Sequence, residues 1–111
     1  MAVPIKNAYA GQPAAANTTL YTCPTNTKAR VLHCSAVNDT TTAVTITFHK
    51  VPSGDSVGDA YLILNAKALG SQEAYDCPTV VGTVLDAGDI ISAIASVANQ
   101  VAVSLDVVEI V

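Results

Sequence analysis

Ala43-Val44-Thr45-Ile46-Thr47-Phe48-His49-Lys50 alternates apolar and polar side chains. Val44, Ile46 and Phe48 fall on one side and Thr45, Thr47 and His49 on the other, the period of two expected of a strand with one buried face. The segment before it, 29–37, alternates more weakly, with Leu32, Cys34 and Ala36 on one side and His33 and Ser35 on the other. A hairpin centred near Thr41 would set Cys34 opposite Phe48 and Ala36 opposite Ile46 in a core. The same register would place His33 opposite His49 on the non-core side.

Further strands flank this pair. Segment 19–23 ends at Pro24, which cannot donate to a ladder and belongs at a strand end. Segment 52–59 is rich in Gly, Ser and Asp and reads as a loop. Segment 61–64 reads as a strand, with a helix over 60–69 stopped by Gly70 as the alternative. Segments 73–77, 80–84, 90–96 and 101–108 complete the set, and Asp86-Ala87-Gly88-Asp89 is a tight turn. In the last strand Val101, Val103, Leu105 and Val107 share a face, but the period slips at Val107–Val108, which predicts a bulge or a departing tail. Tyr21-Thr22-Cys23-Pro24-Thr25 is echoed by Tyr75-Asp76-Cys77-Pro78-Thr79, as if two edges of a sandwich were equivalent. About eight short strands in one domain predict an all-β fold, an antiparallel β-sandwich of jelly-roll type over residues 19–111. Pro4, Gly11 and Pro13 predict that residues 1–18 form an extended N-terminal arm, with Val3, Ile5 and Tyr9 available for burial at an interface.

Composition narrows the function. Of 111 residues, 50% are hydrophobic and only 13% charged, with one Phe and no Trp. So little charge suggests a surface that sits against other subunits. The net charge is −4, and Lys6, Lys28, Arg30, Lys50 and Lys67 are scattered, so no nucleic-acid partner is expected. No apolar run approaches the roughly 20 residues of a membrane-spanning helix, so no membrane partner is expected either. The start lacks a charged segment followed by an apolar one, which predicts a chain made and kept in a cytoplasm.

Chemistry is sparse. Cys23, Cys34 and Cys77 are odd in number and fit no zinc spacing, so they are expected to be reduced thiols in the core. Were two of them to pair, Cys23 and Cys77 would be the pair. His33 and His49 together could form half a metal site or a pH switch, but two plain surface histidines account for them as well. No Gly-x-Ser-x-Gly elbow or phosphate-binding loop occurs. Asp55 with Asp59, and Asp86 with Asp89, read as turn formers rather than calcium ligands. No catalytic residue, cofactor-binding residue or metal ligand is assigned, and the chain reads as a non-enzymatic structural or binding protein.

Ala10-Gly11-Gln12-Pro13, Thr19-Leu20-Tyr21-Thr22-Cys23-Pro24, the run from Val44 to Gly54, and Leu85-Asp86-Ala87-Gly88-Asp89-Ile90-Ile91-Ser92 together carry a resemblance. The chain resembles the jelly-roll cement or staple proteins on the capsids of short-tailed bacteriophages, over residues 10–96 and by its rhythm of strands and turns. That resemblance implies a homo-oligomer, a dimer rather than a trimer, bound to the major capsid protein on the virion exterior after synthesis in the host cytoplasm. A tail, neck or baseplate protein of such a particle is the alternative. A carbohydrate-binding or host-surface sandwich is a further one, with few aromatics to stack on sugars.

Overall fold

The computed structural model describes residues 3–111. Its nine strands are β1 (Ile5–Gly11), β2 (Thr18–Thr22), β3 (Lys28–Asn38), β4 (Val44–Val51), β5 (Leu62–Leu69), β6 (Ala74–Tyr75), β7 (Val84–Leu85), β8 (Ile90–Ala95) and β9 (Val101–Ile110). No helix forms over 60–69. A single 3-10 turn over Asp59–Tyr61 leads directly into β5. All pairings are antiparallel and make two sheets. Sheet A has the order β1-β9-β3-β6, with β7 also paired to β3, and sheet B has the order β2-β8-β4-β5. If β6 and β7 count as two pieces of one strand along β3, there are eight positions. The first pairs with the last and the second with the next to last, which is the strand order of a jelly roll.

The central core is the layer between the sheets. β9 alternates along its whole length, with Val101, Val103, Leu105 and Val107 turned inward, and no bulge or departure at Val108. The apparent slip arises because the next inward position holds Glu109, which is itself buried. Bulges instead lie on both neighbours of β9. Ala8 is the extra residue in β1 and Leu32 in β3, each at the level of Asp106. The bulge in β3 resets its phase, so Ala29, Val31, Cys34 and Ala36 point inward while Leu32 and His33 are both exposed. The expected grouping of Leu32 with Cys34 is therefore corrected. In β5 the chain bulges at Asn65 and Ala66, where φ is 48° and the Ala66 N–H donates to Thr47 Oγ1 at 2.9 Å. That kink explains why only its first residues read as a strand.

Two expectations about connectivity fail. Segments 29–37 and 43–50 are not a hairpin: β3 pairs with β9, and β4 pairs with β5 and β8, so the chain crosses between sheets after Asn38. Buried Asn38 fixes that crossing. Its Nδ2 donates to the carbonyls of Thr42, Leu69 and Gly70 at 2.8, 3.2 and 2.9 Å, and its Oδ1 accepts from the N–H and hydroxyl of Thr40. The expected arm over 1–18, whose first two residues lie outside the described residues, is not free from residue 3 on: β1 forms an edge of sheet A by pairing with β9, and Ala95 N–H donates to Ala14 O. The domain therefore begins before residue 19. Pro13 and Gly11 do punctuate the chain, but beyond the strand rather than in place of it. The echoed segments leave two edge strands, β2 and β6, although only Cys77 takes a left-handed φ, of 46°.

Candidate interaction face

The two sheets differ in what covers their outward sides. On sheet B, outward Val51, His49 and Ser92 are buried although they lie outside the central core. The loop 52–61 folds back over them. Ser53 N–H donates to Asp89 Oδ1 at 3.0 Å, Tyr61 OH donates to Asp55 Oδ2 at 2.7 Å, and the 3-10 turn packs against β4.

Sheet A has no such cover. Strand register aligns Ile5, Val108, Arg30 and Val84 in one outward row across β1, β9, β3 and β7. Ile5 is 72% exposed and Val84 53%. Leu32, displaced outward by its bulge, extends the row, and Val81 in the turn before β7 is exposed as well. The next row toward the end of the sheet pairs Ile110 with Lys28. Beyond the bulges the face turns polar, with Asn7, Asp106 and His33 in one row. Asn7 Nδ2 repairs the ladder at the β1 bulge by donating to Tyr9 O, Leu105 O and Asp106 Oδ1.

Charge on this face is uneven. Lys28 Nζ lies 3.3 Å from Asp86 Oδ1, whereas Arg30 makes no ion pair among the described residues. An apolar row across four strands, with a guanidinium unpaired among the described residues, is an uncovered patch of the kind that candidate association surfaces present. A shallow depression of about 420 Å³, between 25–28 and 86–87, borders the face through Lys28 and Ile110.

The arm residues expected at an interface separate. Val3 and Ile5 are exposed, and Ile5 belongs to the apolar row. Tyr9 does not reach outward: it is half-buried against the core. The histidine pair is also corrected, because His33 and His49 stand in different sheets. His33 is exposed beside Asp106, and His49 is buried opposite Ser92. His49 Nδ1 and Ser92 Oγ both lack hydrogen-bond partners. Across the row their neighbours are Thr19 and Leu62, neither of them a carboxylate that could orient an imidazole for proton transfer. No group of three or more His, Cys, Asp or Glu side chains suited to a metal is found among the described residues.

Sequence reasoning missed a polar cluster inside the sandwich. Tyr21 OH of β2 donates to Glu109 Oε2 of β9 at 2.5 Å, joining the two sheets. Lys6 Nζ of β1 lies 3.3 Å from the same oxygen and 5.6 Å from the centre of the Tyr21 ring. Burial, aided by the Glu109 carboxylate, pushes the Tyr21 hydroxyl up, so it remains a donor. The Tyr21 hydrogen bond in turn holds Glu109 below the usual carboxylate range, against the opposing effect of its burial. The slip at Val107–Val108 was the one trace of this cluster in the sequence.

Fold and face together define a class, a small jelly-roll sandwich with one outward side covered by its own chain and the other left open and apolar. Comparison with protein-family models, with curated proteins and with solved structures gives no match.

Proposed function

We propose that this chain is a non-enzymatic structural protein of a virus particle, which docks through the open face of sheet A onto the capsid exterior and cements neighbouring major capsid subunits. The observation that carries this reading is the outward row Ile5–Val108–Arg30–Val84 with Leu32 beside it. A chain with so few charges that leaves this row uncovered gains most from a partner that covers it. The jelly-roll order and the resemblance to phage cement proteins support the same role. A copy that binds the assembled shell and not its free subunits stabilises the shell by mass action, and a repeated lattice asks little affinity of each copy. Self-association into a dimer belongs to the same proposal.

The test is co-sedimentation with shells that lack the protein, comparing the wild type with Val84→Asp and Arg30→Glu. Both residues are exposed, so each variant should keep its thermal midpoint to within the small change usual for surface positions. Each should weaken shell binding at least tenfold, about 1.4 kcal/mol or more. Undiminished binding by both variants would remove sheet A from the interface. Failure of the wild type to bind shells, together with binding to isolated tails, would move the protein to the tail, neck or baseplate.

A further inference from the structure

Cys34 of β3 and Cys77, two residues beyond the end of β6, are both fully buried. β3 and β6 pair Ala36 with Tyr75 and Val37 with Ala74. Continuing that register by two residues sets Cys34 directly opposite Cys77. Directly opposed residues in antiparallel strands have Cα atoms about 4.5–5.5 Å apart, within the range a disulfide spans. Cys23 is elsewhere, at the exit of β2, where its thiol donates to Thr27 O and Leu85 O. All three cysteines are free thiols, as the sequence predicts, and the partner best placed for Cys77 is Cys34 rather than Cys23.

The geometry points to Cys34 and Cys77 as an oxidisable thiol pair that closes into an internal disulfide when the protein meets a peroxide. The two thiols are close enough to perturb one another, while Cys77 Sγ donates to Tyr75 O at 3.7 Å. Cys34 lies within β3 and Cys77 in the turn after β6, so Cys77 is assigned as the nucleophile and Cys34 as the resolving thiol. Their interaction, which holds Cys77 below its ordinary value and with burial pushes Cys34 up, agrees with that order. Cys77 also lies outside the regular strand ladder. It takes a left-handed φ of 46°, strained for a residue with a side chain, in a turn fixed by bonds from Val80 and Val81 N–H to its own carbonyl and from Gly82 N–H to Val31 O. Local opening of that turn is the route by which a molecule as small as hydrogen peroxide would reach the thiol.

The Cys77 thiolate attacks one peroxide oxygen and the O–O bond breaks. Hydroxide leaves and takes up the thiol's proton as water, and Cys77 becomes a sulfenic acid. The Cys34 sulfur then attacks the Cys77 sulfur, the S–O bond breaks, a second water leaves and the S–S bond forms. Two thiols and one peroxide give one disulfide and two waters, with the two electrons passing from sulfur to oxygen.

Trypsin makes the test unambiguous, because cleavage after Lys6, Lys28, Arg30, Lys50 and Lys67 places each of the three cysteines in its own peptide. Folded protein is treated with hydrogen peroxide, quenched, and alkylated in denaturant without reductant. The expected product is about 2 Da lighter before alkylation, from loss of two hydrogens, and takes one label where reduced protein takes three. Its 31–50 and 68–111 peptides are joined and the label is on Cys23. Cys23→Ser keeps the cross-link and Cys34→Ser abolishes it. Three labels after treatment, a link that includes Cys23, or a sulfinic acid on Cys77 with Cys34 still labelled would each overturn the assignment. The wild-type peptide map decides this even if a variant fails to fold.

Discussion

Glu109 stands where the alternation of β9 calls for an apolar side chain, and it is held there by Tyr21 and Lys6. A buried carboxylate without those partners would cost several kcal/mol, so the three residues stand or fall together. Its folded-state value lies below the ordinary 4.5. The stabilisation it gives is therefore complete above the unfolded value and is lost as pH falls through the lower, folded one. Glu109→Gln should cost about 1–2 kcal/mol near neutrality, the scale of a charge-assisted hydrogen bond. It should also lose less stability than the wild type as pH is lowered from about 5 through the carboxylate range. Denaturant melts across that range give the comparison, and parallel profiles for the two proteins would remove Glu109 from the acid response. At this scale the sequence was legible by its irregularities. The break at Val107–Val108 marked the right place but not its cause, since a partner 88 residues away cannot be seen in a local pattern.

Among the elements, β1 is the one whose role differs most from its sequence. Its pattern Ile5-Lys6-Asn7-Ala8-Tyr9-Ala10-Gly11 fails to alternate because Ala8 is a bulge, and the strand passed for an irregular arm. In the fold it covers one side of β9, seats Tyr9 against the core and supplies Lys6 to Glu109. Deleting residues 2–11 should therefore lower the thermal midpoint by more than 10 °C or prevent folding, since losses above about 2 kcal/mol produce shifts of that size in a domain this small. A truncated domain that melts with the full chain would return residues 1–18 to the status of an arm. β3 and β4 teach the complementary lesson. Alternation tells which side chains share a face, and Ile46 and Phe48 are core residues as read. It does not tell which strand lies alongside. That is decided by the crossing at Asn38, where each carbonyl left without its donor would cost about 1–3 kcal/mol.

The whole molecule measures 46 × 26 × 19 Å, with one broad side closed by the loop 52–61 and the other open. An all-β sandwich of jelly-roll type was legible from strand number and turn spacing. The open face was not, because its row draws on residues 5, 30, 84 and 108, which no window of sequence contains. Only the low content of charge hinted at an apolar outer surface.

β9 lies between β1 and β3, so both strands take their main partner from residues 101–110. During synthesis from the N-terminus, sheet A thus has no centre until that segment has left the ribosome tunnel, and its flanks wait as unpaired edges. Sheet B is less delayed, since all four of its strands, including the paired β4 and β8, are made by residue 95. Ribosome-held chains ending near residue 98 should be cut readily by protease within 5–38, and chains carrying residues 101–110 beyond the tunnel should resist. Equal resistance of the two would mean that β1 and β3 find a temporary partner in each other. If they do not, β9 acts as a timer: the open face of sheet A is completed only when residues 101–110 arrive, and a chain lacking them cannot present it.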